Sequence, residues 1–410
     1  MIQVILQLFK DKYNHGGNSQ LVLSFYLCSH FMERLNYRAF SEWDLSFTRP
    51  LIISGPCGVE SEEQIHEIAA ELARLNVHML RGGIWKPRTR PDSFQGIGSE
   101  GLTWLKKAGS AHNMPVTAEV ATPRHVEEAL EAGIDVLWIG ARTTVNPFLV
   151  QEIADALTGV NVPVMIKNPI NPELELWIGA IERINKAGIT QIAAIHRGFS
   201  TFEKTRYRNV PKWQIPIELK RRFPGLPVIC DPSHICGTRA LIGSVAQTAL
   251  DLNYDGLMVE SHAHPEKALS DAEQQLSPAG LAEMLSGLIV RSAVAEDVIF
   301  LNRLEELRDR IDTLDEEILQ KISDRMDIAR EIGRYKKENN ITILQVERWN
   351  EILRTRLKFG MDHDLTREFI QKMYELVHDE SILQQTSMMN NDVRENKNSP
   401  VGTPGKNEPL

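Results

Sequence analysis

The chain has 410 residues, 42 % hydrophobic and 25 % charged, with 46 basic and 55 acidic side chains and a formal charge of −9. That length exceeds one compact core and predicts two domains, and the acidic balance speaks against a general nucleic-acid or membrane-surface binder. No apolar run is long enough to cross a bilayer, and the irregular spacing of Cys28, Cys57, Cys230 and Cys236 predicts reduced thiols and a cytoplasmic location rather than a disulfide framework.

Residues 1–49 read as an N-terminal extension, partly disordered. Apolar patches at Val4-Ile5-Leu6 and Leu21 to Leu27 are separated by Asn18-Ser19-Gln20, and Lys10, Asp11 and Lys12 sit mid-stretch. A signal peptide would lead with its basic residues and follow with one apolar core. Met32 stands as an alternative start.

Within a first domain at 50–291, the stretch from Pro50 to His264 repeats one pattern: a short apolar run, a few polar residues, then an amphipathic segment. The runs are Leu51–Ser54, Val77–Arg81, Val116–Glu119, Val136–Gly140, Val164–Lys167, Ile192–Ile195, Val228–Cys230 and Gly256–Val259. Helical patterns such as Ser61–Leu75, Pro123–Glu131, Leu174–Asn185 and Arg239–Leu252 lie between them. Gly133, Gly188 and Gly225 stand where helices should stop. Eight strand–helix units predict an α/β chain with a closed (β/α)8 TIM barrel. The alternative is a doubly wound open sheet, which needs fewer strands and often a Gly-rich nucleotide turn that is absent here.

A linker at 292–298 leads into residues 299–389, where strands give way to an all-α, three-helix pattern. Over Ile299–Lys337, Leu304, Leu307, Ile311, Leu314, Ile318, Ile322, Ala329 and Ile332 recur at helical steps. Gln345–Phe359 and Leu365–Gln385 follow. So few helices cannot bury those apolar faces alone, so a homodimer is expected. Residues 390–410, rich in Asn, Pro, Gly and Lys, read as a disordered tail.

Barrel active sites form at the C-terminal ends of strands. There stand Cys57, Arg81 with Lys86-Pro87-Arg88-Thr89, Glu119, Arg142, Lys167, Arg197, His234 and Glu260, with Asp271 in the loop that follows. Cys57, His234, Glu260 and Asp271 are metal-ligand types whose mixed sulfur, nitrogen and oxygen donors suit one catalytic divalent ion with an open position. Mn2+ leads the candidates; Fe2+, Co2+ and Zn2+ also fit. Arg81, Lys86, Arg142, Lys167 and Arg197 would repel one another unless an anion bearing carboxylate and phosphate sits among them.

The segments GPCGVESEEQ, RGGIWKPRTRPDSFQGIG, AEVATP, IGART, HRGFSTFE, CDPSHICGTR and MVESHAHPEKALSDAEQQL resemble the short, barrel-only class of 3-deoxy-D-arabino-heptulosonate 7-phosphate (DAHP) synthases over about residues 50–290. Related 3-deoxy-octulosonate 8-phosphate synthases share the barrel, but their aldehyde loop reads like Asn-Arg-Ser where this chain has Lys86-Pro87-Arg88-Thr89. The resemblance implies that Arg81, Lys86, Arg142, Lys167 and Arg197 hold phosphoenolpyruvate. It implies that Arg88 and Thr89 hold the phosphate of erythrose 4-phosphate, and that the metal polarises the aldehyde. Lys86 and Glu119 are the candidates for handling the attacking water and its protons. Lys167-Asn168-Pro169-Ile170-Asn171-Pro172 departs from the Gly-rich continuation common in that class.

In the helical part, Arg325 and Lys336 are eleven residues apart, so they point within about 20° of each other and about 16 Å apart along the axis. They could pinch a small dianion. Arg308, about 25 Å before Arg325, could serve only a partner's site. The segments LRDRIDTLDEEILQKISDRMDIAREIGRYKK, ILQVERWNEIL and HDESILQQ resemble an all-helical chorismate mutase over about residues 300–388. That resemblance implies chorismate or prephenate bound by Arg308, Arg325, Lys336, Arg348, Ser381 and Gln385, with Lys336 and Gln385 the donors to the breaking ether oxygen. Gln345 stands where an acidic residue is common, and Trp349 where a Glu can contact the substrate hydroxyl.

The two resemblances together imply a bifunctional enzyme of aromatic amino-acid biosynthesis, with phosphoenolpyruvate, erythrose 4-phosphate and chorismate as partners. The alternatives are a catalytically weak mutase kept as a regulatory and dimerising module, or an octulosonate synthase with a helical tail. Prephenate or chorismate at the helical site is expected to lower synthase activity through a hinge around Ser286–Ile299, which contains Gly287 and Ser292.

Overall fold

The computed structural model describes residues 35–43, 45, 49–86, 94–292 and 297–395. They fall into two compact units that divide between Ala293 and Val294. Positions 293–296 of the expected hinge and the tail beyond 395 lie outside the described residues. No described helix is long and apolar enough to cross a membrane.

The first unit is the expected barrel. Its strands are β1 (Leu51–Gly55), β2 (Met79–Gly82), β3 (Val116–Val120), β4 (Val136–Ile139), β5 (Val164–Lys167), β6 (Ile192–His196), β7 (Val228–Cys230) and β8 (Gly256–Glu260). Each pairs in parallel with the next, and β8 closes on β1 in a register running from Leu51 opposite Gly256 to Gly55 opposite Glu260. The strands are covered on both faces, which is why they read as continuous apolar runs rather than as alternation.

Several helices begin with a polar cap followed by proline: Thr122-Pro123, Asn146-Pro147, Asp231-Pro232 and Ser277-Pro278. The side chain accepts a backbone N–H of the first turn, and proline fills a position whose N–H has no partner in any helix. These pairs set where each strand-end loop turns back into a helix, and so where the strand-end side chains are held.

The barrel interior is a plug of inward-facing residues, among them Leu51, Ile53, Met79, Trp138, Met165, Ile195, Ile229 and Met258. Side chains alternate along a strand. The next inward position is therefore two residues further on: Arg81 after Met79, Lys167 after Met165, Arg197 after Ile195, Asp231 after Ile229 and Glu260 after Met258. Glu119 follows Thr117 in the same way. A layer of charge thus lies directly on the apolar plug.

Residues 35–43 and 45, inside the extension expected to be partly disordered, form an ordered part of it. Trp43 is buried in the interior cluster, with Phe40 and Leu45 packed against it. The segment is tied to loops that precede strands: Arg38 N donates to Thr190 O at 2.9 Å and the Tyr37 hydroxyl to Pro224 O at 2.9 Å. It stoppers the end of the barrel opposite the charged layer. Its sequence is too short and irregular to show a period, so composition alone missed it. Residues 1–34, Met32 included, lie outside the described residues.

Among its described residues the second unit has three helices, Val298–Glu338, Val346–Met361 and Arg367–Glu395. The last runs past Asn390 to Glu395, so the tail predicted as disordered from 390 begins as helix. The first and third helices pack through Met326, Ala329 and Ser381, and Gly333 lets Gln385 approach its backbone. Along the first helix Ile311, Leu314, Ile318, Leu319 and Ile328 are exposed, an apolar row that no described residue of the unit covers.

Trp43→Ala should remove the stopper and leave a cavity. The expected outcome is a loss of about 3–5 kcal/mol in the barrel's urea unfolding transition, with the helical unit's circular-dichroism transition unchanged.

Candidate active sites

The charged layer is held by paired charges. Arg81 Nη2 lies 3.1 Å from Glu260 Oε1, and both residues are buried. Lys167 Nζ donates to Asp231 Oδ2 at 2.8 Å, also buried. The face of Trp138 lies under both cations, 5.0 Å from the Arg81 guanidinium carbon and 5.7 Å from Lys167 Nζ, a cation–π seat above the apolar plug. Trp138 Nε1 donates to Glu119 Oε2 at 3.2 Å. Gly140 makes this possible, because a Cβ there would overlap the other Glu119 oxygen.

The pairing leaves donors over. Arg81 Nε and Nη1 and Arg197 Nη1 are buried with no hydrogen-bond partner. A buried guanidinium N–H left unpaired costs on the order of 1–3 kcal/mol, so these atoms mark where an anion would be received. Burial lowers the Arg197 guanidinium to about 10, with Arg208 and Arg142 adding repulsion and Asp231 opposing it. Arg142 is exposed on the short helix Ala141–Thr144 after β4. The predicted anion-binding cations therefore do gather at one end of the barrel. Pro87 to Ser93 lie outside the described residues, and with them Arg88 and Thr89.

The four predicted metal ligands come to the same end in two pairs. Cys57 Sγ is 3.3 Å from Asp271 Oδ2, and His234 Nε2 is 3.7 Å from Glu260 Oε1. Among the described residues no three His, Cys, Asp or Glu side chains surround one point. The Lys86 ammonium instead lies 2.8 Å from Cys57 Sγ and also donates to the Cys57 carbonyl. It reaches there past Gly83, where a Cβ would crowd Lys86 Nζ.

The donor set nevertheless fits a divalent cation. Burial and the carboxylates of Glu260 and Asp271 push the Cys57 thiol up to about 12 against the opposing pull of Lys86. Burial alone would raise the Glu260 carboxyl, but His234, Arg81 and Lys86 outweigh it and bring it to about 2. His234 Nδ1 and Glu260 Oε1 are buried without a hydrogen bond. A thiol, an imidazole and two ionised carboxylates crowded together are stabilised by added positive charge, and their softness is mixed in the way a borderline transition metal accepts.

Four supporting residues were given no role by the sequence reading, although Asp231 and Asn168 stand at strand ends. Asp231 Oδ2 lies 2.8 Å from both Lys167 Nζ and His234 Nδ1, although the latter contact is off the line a hydrogen bond needs, and its Oδ1 accepts His234 N at 3.1 Å. It thus links the anion-binding cations to the metal-ligand set. Gln274 Nε2 donates to Glu260 Oε2 at 2.6 Å, and Arg208 Nη1 donates to Asp271 Oδ1 at 2.9 Å and Gln274 Oε1 at 2.7 Å. Asn168 Oδ1 accepts Arg197 N at 2.7 Å. Two signals could have assigned Asp231 a role: its inward place at the end of β7 and the cap-and-proline pair Asp231-Pro232.

In the helical unit, Arg325 Nη1 donates to Ser381 Oγ and lies 3.5 Å from Val377 O. Lys336 Nζ donates to Ile343 O at 2.5 Å. Gln385 is buried, and its Oε1 has no partner. Arg308 and Arg348 are exposed and engaged locally, with Glu305 at 2.5 Å and Glu351 at 2.6 Å. The structure brings Arg325, Lys336, Ser381 and Gln385 to the facing sides of the first and third helices; Arg308 stays apart, near the start of the first.

Residues 47–292 match the family model described as the DAHP synthetase I family, and residues 307–386 the model described as chorismate mutase type II. A phospho-2-dehydro-3-deoxyheptonate aldolase of Thermotoga maritima is 37 % identical over 225 residues, covering 55 % of this chain and 64 % of that protein, so the match spans less than two thirds of its length. A 2-dehydro-3-deoxyphosphooctonate aldolase of Desulfatibacillum aliphaticivorans is 28 % identical over 270 residues, or 60 % of this chain and 93 % of that one. The crystal structure of the Thermotoga maritima phospho-2-dehydro-3-deoxyheptonate aldolase (DAHP synthase) superposes with a TM-score of 0.55 at 32 % identity, covering 62 % of this chain and 76 % of that one. A truncated form of the 3-deoxy-D-arabino-heptulosonate 7-phosphate synthase from the same organism gives 0.54 at 30 %, covering 62 % and 91 %.

Asp231→Asn removes the charge that holds His234 and Lys167. Divalent-ion affinity, measured by Mn2+ or Co2+ titration of metal-stripped protein, should fall about 10–100-fold; an unchanged affinity would show that Asp231 does not orient His234.

Proposed function

The chain belongs to the DAHP synthetase I family, and on that premise we propose that its barrel condenses phosphoenolpyruvate with erythrose 4-phosphate, while its helical unit rearranges chorismate to prephenate. The observation that carries the first half is the set of buried, unpaired guanidinium N–H groups on Arg81 and Arg197 beside the Cys57, His234, Glu260 and Asp271 cluster. That is an anion seat next to a Lewis-acid site.

Phosphoenolpyruvate is held by Arg81, Lys86, Arg142, Lys167 and Arg197, with its carboxylate and phosphate taking the N–H groups that the protein leaves unpaired. Cys57, His234, Glu260 and Asp271 would hold one divalent ion, Mn2+ foremost, which supplies Lewis acidity for the aldehyde carbonyl. C3 of phosphoenolpyruvate forms the new bond to the aldehyde carbon, water adds at C2, and phosphate leaves. Glu119, fixed by Trp138 on one oxygen, accepts the proton of that water; Lys86 supplies one where the new hydroxyl forms. Arg88 and Thr89 take the aldehyde's phosphate.

Greater identity to the heptonate enzyme than to the octonate enzymes favours the four-carbon aldehyde. In kcat/KM, erythrose 4-phosphate should exceed arabinose 5-phosphate strongly, and chelator should abolish turnover until divalent metal is restored. A preference for the five-carbon sugar would overturn the assignment.

In the helical unit, Arg325, Lys336, Arg348, Ser381 and Gln385 would hold chorismate as a folded dianion, with Lys336 and Gln385 donating to the ether oxygen. The exposed row Ile311, Leu314, Ile318 and Ile328 supports a homodimer through the first helix, which would let Arg308 complete the partner's site. Arg308→Ala and Lys336→Ala should each be nearly inactive as mutases. A mixture of the two, after subunit exchange, should recover part of the activity; no recovery would argue for a site within one chain.

A further inference from the structure

Trp349 and His378 form a feature that neither proposed reaction uses. Their rings stack with centroids 3.9 Å apart and planes 13° from parallel. Trp349 comes from the second helix and His378 from the third. His378, Ser381 and Gln385 are spaced three and four residues apart, so they share one face of that helix. On that face Ser381 accepts from Arg325, and Gln385 keeps a buried carbonyl oxygen without a partner. His378 therefore shares the helix face that carries Ser381 and Gln385, and its ring is held by a stacked indole.

We infer that His378 is a ligand-sensing residue of the helical site, which takes up a proton when a dicarboxylate occupies it and so makes binding tighter at lower pH. The inference rests on the reading of the helical unit as a dianion site. The charges that act on the imidazole are Asp379 from its own helix and Arg325 and Lys336 from the first; Trp349, from the second helix, carries no charge. Burial holds the imidazole below its ordinary value, Arg325 and Lys336 press it lower, and Asp379 opposes them. In the free protein the ring is thus neutral near pH 7. A dianion between Arg325 and Lys336 cancels their repulsion, so the bound pKa rises.

The linkage follows in sign. A ligand that raises a pKa binds with uptake of protons, and its affinity is greatest below the free pKa and declines as pH rises through the bound one, by at most tenfold per pH unit for one proton. The charged ring gains further from the electron-rich face of Trp349. His378 supplies a cation only when the site holds negative charge, which spares the empty protein a third positive group beside two half-buried ones.

The test is calorimetric titration of the full chain with prephenate at pH 7 in phosphate and in Tris, whose ionisation heats differ, and repeated from pH 6.5 to 8. The wild type should take up a fraction of a proton, with Kd rising several-fold over that range. His378→Asn should bind without that uptake and with a nearly flat Kd, while Trp349→Phe, which keeps a stacking ring, should retain uptake. Binding by the wild type with no uptake, or equal uptake in His378→Asn, overturns the inference while leaving the dianion site intact. No prephenate binding by the wild type at all overturns the site reading, and the inference with it.

Discussion

The buried charge layer on top of the barrel plug is the constraint from which the rest of the first unit follows. Arg81 with Glu260 and Lys167 with Asp231 are fully enclosed ion pairs. Pairs of this kind are poor stabilisers, because the cost of desolvating two charges rivals their attraction. Met, Leu or Tyr at these positions would serve stability as well or better. Their presence two residues above an apolar layer, strand after strand, therefore points to binding and chemistry. Apolar bulk below and the Trp43 stopper at the far end give the layer a rigid floor.

Balance within the layer explains how so many cations coexist. Glu119, Asp231 and Glu260 offset Arg81, Lys167 and Arg197, and Lys86 leans on Cys57. Offsetting is incomplete, however, because guanidinium N–H groups remain without acceptors. Lys86, beside a neutral Cys57 thiol, remains as net positive charge, and hydrogen bonding is unfinished as well. An anionic ligand that brings oxygens in a fixed arrangement gains on both counts. Asp231 matters most here, since one carboxylate touches both a cation of the anion seat and a member of the metal-ligand set.

Much of this was legible in the sequence. The eight apolar runs gave the barrel because buried parallel strands need no alternation, and the residues just beyond each run gave the layer because barrel sites lie there. What stayed hidden was anything whose role is set by a neighbour distant in the chain. Trp43 looks like part of an irregular leader until its ring is seen inside the barrel. Asp231 looks like a helix cap, which it also is. Gln274 and Arg208 are ordinary polar residues whose meaning lies in touching Glu260 and Asp271. His378 differs again: Trp349 was noticed as a departure, but one sequence cannot show that a residue on another helix stacks upon it.

The helical unit poses the opposite problem to the barrel. The central cations of its site, Arg325 and Lys336, are half exposed, and its first helix carries apolar side chains left exposed among the described residues. A helix of 41 residues spans about 60 Å, far more than its two shorter companions can shield. Arg308 and the exposed row lie along the same helix as Arg325 and Lys336, so whatever covers the row also approaches the site. A second copy is the economical partner. Two such helices side by side would bury both rows at once and bring each Arg308 toward the other chain's Arg325. On that reading the mutase site and the dimer would be one construction, and weakening the apolar row should lower mutase affinity without touching a ligand-binding residue.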